Sequence, residues 1–268
     1  MGKVIGFIGS GNMAQAMIGS LIEAKIIEKE NIIASEIFKE VRDKVASELG
    51  IRTTDNNIDV ANESDIIILS IKPNIYEKVL AEIKDKVKEG AIIIGIGAGI
   101  SSEFLKNSLN EGTKYLKVMP NTPALVGEGM SAISSSNNLD DKELEEVVEV
   151  IGAFGKVEIL DEELIDGFTA IAGSSPAYVY MMIEALADGA VLEGLPRKQA
   201  YTIAAQAILG SAKMVLETSM HPGELKDNVC SPGGTTIAAV ASLEENNFRS
   251  TLIEAVVACA DKSREMNK

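Results

Sequence analysis

Along the first 160 residues, short apolar runs alternate with segments in which apolar positions recur every three or four residues. Residues 4–8, 32–35, 66–71 and 91–96 are apolar almost without interruption and are of strand length. Such continuity implies burial on both faces, the condition of a strand in a parallel sheet covered by helices. Between them, residues 13–24, 38–49 and 75–87 carry the spacing of helices with one buried face. Shorter strand signals follow at 115–118, 131–134 and 157–160. Repeated strand–helix units predict an α/β fold with a doubly wound sheet and right-handed crossovers.

From residue 161 onward the strand signal disappears, and 176–193, 198–217, 235–245 and 248–265 read as helices. Gly194-Leu195-Pro196 and His221-Pro222-Gly223 punctuate them, each proline suiting a helix start or the turn before it. A face carrying Ala200, Ala204, Ala205, Ala207 and Ala212 allows close helix approach. The expected organisation is a sheet-containing domain at 1–160 and an all-α domain at 161–268, the latter also suited to dimerisation.

The first strand runs directly into Gly9-Ser10-Gly11-Asn12-Met13-Ala14, a GxGxxA pattern opening a helix. Gly9 permits the tight turn, the bare Gly11 permits approach of a pyrophosphate, and Ala14 lets helix and strand pack closely. The helix N-terminus then offers free amides and a partial positive charge to a diphosphate. In this strand–turn–helix context the pattern is the fingerprint of a Rossmann-like dinucleotide-binding domain.

The second strand ends in Ser35-Glu36, where an acidic side chain accepts from the adenosine ribose and disfavours a 2′-phosphate. Between NADPH and NADH as cofactor, Glu36 leans toward NADH. Two alternatives stay open: Ser35, Lys39 and Arg42 receive a phosphate while Glu36 points away, or Glu36 is a solvated carboxylate at a helix start. Ser70-Ile71-Lys72-Pro73 and Gly97-Ala98-Gly99 follow the third and fourth apolar runs, at the carboxyl ends where open sheets place ligands. Lys72 is either a cation near the nicotinamide or substrate, or an ordinary loop lysine. In Met119-Pro120-Asn121-Thr122-Pro123, two prolines make a rigid loop that would hold amide and hydroxyl groups at the cleft.

Charge narrows the partners. Lys and Arg total 25 against 40 Asp and Glu, a formal net charge of -15. This excess repels a nucleic-acid backbone and an anionic membrane, so neither is expected as a partner, while oriented amides in a cleft still accept a small anion. The opening apolar run is too short for a signal peptide and no segment approaches the length of a membrane span, so a soluble, cytoplasmic protein is expected. Cys230 and Cys259 form no CxxC pair and His221 is the sole histidine, so neither a metal site nor a disulfide framework is expected.

A second glycine turn lies at Cys230-Ser231-Pro232-Gly233-Gly234-Thr235-Thr236. Read chemically, it opens a helix with exposed amides for a carboxylate and hydroxyls beside them; the plainer alternative is a helix-capping turn. This stretch, continuing through Ala238, Ala239, Val240, Leu243 and Glu244, resembles the pyrroline-5-carboxylate reductase family. Similar blocks are GFIGSGNMA, IKP, MPNTPALV, GSSPAYVYMMIEALADGAV and HPGELKDNVCSPGGTT, so the resemblance covers essentially the whole chain.

The resemblance implies NAD(P)H-dependent reduction of 1-pyrroline-5-carboxylate to L-proline, the last step of proline biosynthesis. It puts the substrate carboxylate on Ser231, Gly233, Gly234 and Thr235, with Thr236 as the catalytic contact to the ring nitrogen. It lines the cofactor with Ser10, Gly11, Asn12, Met13 and Ala14, then Ser70, Ile71, Lys72 and Pro73, then Ile96, Gly97 and Ala98, with Asn57 near the adenosine. It also implies helix-swapped homodimers, often assembled into decamers. Glu36 departs from the Ser, Arg or Thr of many relatives, and Ser219 replaces an acidic residue of some.

Three competing readings are weaker. A β-hydroxyacid dehydrogenase would place a lysine on the first long helix of the second domain, and 173–194 contain none. A thiol enzyme would need Cys230 and His221 to meet across a folded-back turn. A non-catalytic dinucleotide sensor would bind NADH without consuming it.

Overall fold

The near-continuous apolar runs become the centre of the sheet. In the computed structural model, which describes residues 2–266, the strands are β1 (Ile5–Ile8), β2 (Ile32–Ser35), β3 (Arg52–Thr54), β4 (Ile66–Leu69), β5 (Ile92–Gly95), β6 (Lys114–Met119), β7 (Gly129–Ser134) and β8 (Gly155–Leu160). Their order is β3-β2-β1-β4-β5-β6-β7-β8. The strands from β1 to β6 pair in parallel, β7 is antiparallel to β6, and β8 is parallel to β7. This is the doubly wound α/β fold read from the pattern, with its topological switch between β1 and β4.

Helices α1 (Asn12–Glu23), α2 (Lys39–Leu49), α3 (Asn57–Glu63), α4 (Tyr76–Ile83), α5 (Ser102–Ser108) and α6 (Asp141–Gly152) cover the two faces. Alternate residues of one strand serve different cores. Ile66 and Ile68 of β4 share a cluster with Met17, Leu21, Val45 and Val147, whereas Ile67 and Leu69 share another with Val60, Leu80 and Ile83. Both faces are dry, so the strand alternates between cores and not between apolar and polar. Of these six helices α3, α5 and α6, with the edge strand β3, add to the elements anticipated above.

The strand signal ends at 160, yet the following segment stays with the sheet. Helix α7 (Ile165–Phe168) and a π-helical turn at Thr169–Gly173 bury Ile165, Ala170 and Ala172. The chain divides into compact units after Ser174 and again before Cys259, so residues 161–174 group with the sheet and not with the helices that follow. Within the first unit, Ser263 Oγ donates to Asp166 Oδ1 at 2.5 Å, which fastens the returning end of the last helix.

The second unit contains α8 (Ser175–Leu192), α9 (Arg197–Thr218), α10 (Pro222–Asn228), α11 (Thr235–Glu245) and most of α12 (Phe248–Met266). The α8–α9 hairpin reverses at Gly194, whose φ of +94° suits glycine. Only Ala187, Ala200 and Ala204 are buried among 175–258. Tyr180, Met181, Leu192 and Leu216 are exposed. A helix pair that is apolar on most sides buries its surface against another chain or remains insoluble. Among the described residues, no helix is long and apolar enough to cross a membrane.

Candidate active site

The first glycine turn is built by close approach of backbones. Gly9 has φ +92°, and a Cβ there would lie 2.7 Å from Ser70 O and 2.8 Å from Ile71 Cγ2. Any side chain would force the β1 and β4 turns apart. Gly11 caps α1 in an extended conformation, with no side-chain cap, and a Cβ on it would meet nothing within 4 Å. The orphan amides of the first helical turn are thus left for an external acceptor, and the helix dipole favours an anion there. Ala14 is fully buried behind them.

The end of β2 is organised around one carboxylate. Glu36 Oε2 accepts from Ser10 N at 3.3 Å, and Oε1 accepts from Phe38 N at 3.1 Å. Arg42 Nη1 donates to Glu36 O at 2.7 Å and Nη2 stands 3.6 Å from Asp55, while Lys39 pairs with Asp43 at 2.5 Å. Ser35 Oγ donates to Asn57 Oδ1 at 2.7 Å, and Asn57 Nδ2 donates to Glu82 Oε2 at 3.0 Å. The alternative with Glu36 turned away and Ser35, Lys39 and Arg42 free is therefore not the arrangement observed. Ser10 is fully buried, its hydroxyl directed to Ser35 O at 3.3 Å.

Beside this turn the carboxyl ends of β4, β5 and β6 enclose a cleft of about 330 Å³. From the residues anticipated above it draws Met13, Ser70, Ile71 and Pro73, with Ile96, Gly97 and Ala98 opposite. Ser70 Oγ ties the first two turns by donating to Gly9 O at 2.6 Å. Gly9, Ser10, Gly11, Asn12 and Ala14 belong to the turn and helix start; Ser35, Glu36 and Asn57 belong to the β2 side, and none of these lines the cleft. Lys72 is exposed at the start of the Pro73–Ile75 turn and is also not on the wall.

The cleft also includes Met119, Pro120, Asn121 and Thr122, and Gly173 from the π turn, closed by Ser174 N donating to Thr169 O at 2.9 Å. Asn121 lies on the cleft wall, where that loop was expected to bring it, and its amide also bonds within the fold. Its Nδ2 donates to Ala172 O and its Oδ1 accepts from Met130 N, both at 2.9 Å. From the cleft wall the amide thus joins β7 to the π turn.

In the second unit, Gly233 has φ +68° and Gly234 caps α11 without a side-chain cap. A Cβ on Gly234 would fall 2.3 Å from Ser231 Oγ, and Gly234 N donates to Ser231 O at 3.0 Å. The left-handed φ favours glycine at 233, while a Cβ at 234 would require the Ser231 hydroxyl to rotate away. Ser231, Gly233, Thr235 and Thr236 are all exposed, so amides and three hydroxyls are grouped at one helix start. His221 Nδ1 accepts from Gly223 N at 3.0 Å as the cap of α10, which commits that nitrogen to structure and not to activating a thiol.

Residues 162–266 match the family described as pyrroline-5-carboxylate reductase dimerisation, and residues 4–99 match that described as NADP oxidoreductase, coenzyme F420-dependent. Over 271 positions the sequence is 44% identical to pyrroline-5-carboxylate reductase of Escherichia coli strain K12, covering 100% of both chains. The chain belongs to the pyrroline-5-carboxylate reductase family. The family member of Methanosarcina acetivorans is 43% identical over 98% of each chain. The crystal structure of Plasmodium falciparum pyrroline carboxylate reductase, solved with NADP bound, has a TM-score of 0.90 and 34% identity, covering 100% of this chain and 99% of that one. In family terms, the helical unit with its exposed apolar faces falls inside the dimerisation region.

Proposed function

We propose that this protein reduces 1-pyrroline-5-carboxylate to L-proline with a reduced nicotinamide dinucleotide. The observation that carries the reading is the pair of uncapped helix starts behind Gly11 and Gly234, in a chain 44% identical from end to end to a reductase of that name. The first fits a diphosphate, because the cap position has no side chain and its surroundings are open. Gly9, Gly11, Asn12 and Met13 would hold it, with Ser70, Ile71, Pro73 and residues 96–98 along the cleft. Glu36, kept in place by two amides, takes the adenosine ribose, and the reading favours NADH over NADPH.

At the second turn the amides of Gly233, Gly234 and Thr235, with the Ser231 hydroxyl, hold the substrate carboxylate. When bound, the reduced cofactor supplies two electrons and one hydrogen to the imine carbon. The protein's part is orientation and electrostatics. A protonated ring nitrogen makes that carbon electron-poor, and the Thr236 hydroxyl accepts from the iminium N–H, holding the ring in register. The nitrogen keeps its proton and becomes the amine of proline. Support for a homodimer, assembled into a decamer as in the family pattern, comes from the exposed apolar helices 175–258. The cytoplasm suits two unpaired cysteines.

Thr236→Ala tests this reading in an absorbance assay with racemic pyrroline-5-carboxylate and, in parallel, NADH and NADPH. Turnover is expected to fall about 10- to 1000-fold, from loss of the hydrogen bond that holds the iminium in register. Unchanged turnover removes Thr236 from the mechanism, and a wild-type protein that consumes neither cofactor refutes the function.

A further inference from the structure

Tyr76 is the first residue of α4, and it is fully buried. Its hydroxyl donates to Leu69 O at 2.5 Å and accepts from Ile96 N at 3.1 Å and Gly97 N at 2.9 Å. A phenol has one donor and two acceptor sites, so this oxygen is saturated. Burial pushes the phenol well above its ordinary range against the opposing pull of the two amides, which keeps it a neutral donor at any working pH. The register between β4 and β5 ends at Leu69 opposite Gly95. Beyond that point the ladder no longer supplies partners for Ile96 and Gly97, and Tyr76 supplies them. The ring itself lies under Gly97, where an added Cβ would come within 2.9 Å of Tyr76 Cε2.

The two turns joined in this way carry Ser70, Ile71, Ile96 and Gly97, all on the cleft wall. Resting on the dinucleotide reading above, the order of the sheet says which half of the cofactor they meet. Adenosine lies toward Glu36 at the end of β2, and the diphosphate lies at α1 after β1. The next strands in order are β4 and β5, so the nicotinamide half extends over them. We infer that Tyr76 is a positioning residue for the nicotinamide half, fixing the separation of the 69–71 and 96–98 turns through a single buried hydroxyl. Without that hydroxyl, three buried backbone groups lose their partner and the turns relax from the spacing the ring requires.

Tyr76→Phe keeps the ring and removes only the hydroxyl. NADH and 5′-AMP are titrated calorimetrically against wild type and variant. The expected result is an NADH dissociation constant raised about tenfold, with 5′-AMP within about twofold, because AMP reaches only the adenosine end. Val147→Ala, in the α6 core and chosen to match the variant's Tm, is expected to leave both constants near wild type. Gly97→Ala displaces the same turn from the phenol and should reproduce the split if Tyr76→Phe folds poorly. Unchanged NADH affinity, equal weakening of AMP, or the same split in Val147→Ala overturns the inference. A wild-type protein that binds neither probe refutes the dinucleotide reading itself.

Discussion

Glu36 accepts from Ser10 N and Phe38 N, and those two amides hold its carboxylate beside the first glycine turn. A 2′-phosphate there would meet a fixed like charge, while Arg42 and Lys39, the nearest cations on α2, are engaged with Asp55 and Asp43. Glu36→Ser is therefore expected to shift the NADPH-to-NADH ratio of kcat/KM upward by about tenfold or more. An unchanged ratio excludes Glu36 from the choice of cofactor. The position of Glu36 at the end of β2 was legible because its place after a strand follows from a short-range pattern. Tyr76 was not legible, since its three partners come from two different turns and only the folded sheet brings them together. For Asn121 the sequence indicated a rigid loop but not the direction of its amide, which tertiary hydrogen bonds decide.

Gly155 shows the same limit for elements. It pairs with Gly129 between β7 and β8, has φ +147°, and a Cβ on it would fall 1.9 Å from Gly129 O. The obstacle is backbone, which cannot rotate away. Gly155→Ala is expected to destabilise the fold by at least about 3 kcal/mol in denaturant unfolding, from strain and separation of this strand pair. Wild-type stability would show that the β7–β8 spacing adapts. The central strands were readable because burial on two faces leaves an uninterrupted apolar run. Strand β3 was not, because its three residues sit at the sheet edge and are partly exposed. Helices α3 and α5 have seven residues each, too few to establish a period. Helix α6 buries only Val147, Val150 and Ile151 within an acidic stretch, although Asp140 and Glu143 form a capping box that marks its start.

For the whole molecule, the two halves were separable in sequence as strand-rich and helical, and the family resemblance ran through both. The compact division after Ser174 was less visible, because the π turn at 169–173 packs on the sheet through hydrogen bonds such as that from Asn121 to Ala172, without a strand signal. Self-association was expected from the Ala-rich faces and from the family resemblance, and residues 162–266 match the family's dimerisation region. The exposed Tyr180, Met181, Leu192 and Leu216 show how much apolar surface the helical unit leaves for a partner. The central claim is that two glycine turns, one for a diphosphate and one for a carboxylate, serve a single reduction. NADH deuterated at both C4 positions, incubated with racemic pyrroline-5-carboxylate and followed by mass spectrometry and NMR, tests it directly. The account predicts L-proline with one deuterium on the ring carbon that was the imine carbon, for each cofactor oxidised. Cofactor oxidation without deuterium in proline, or no proline at all, would contradict it.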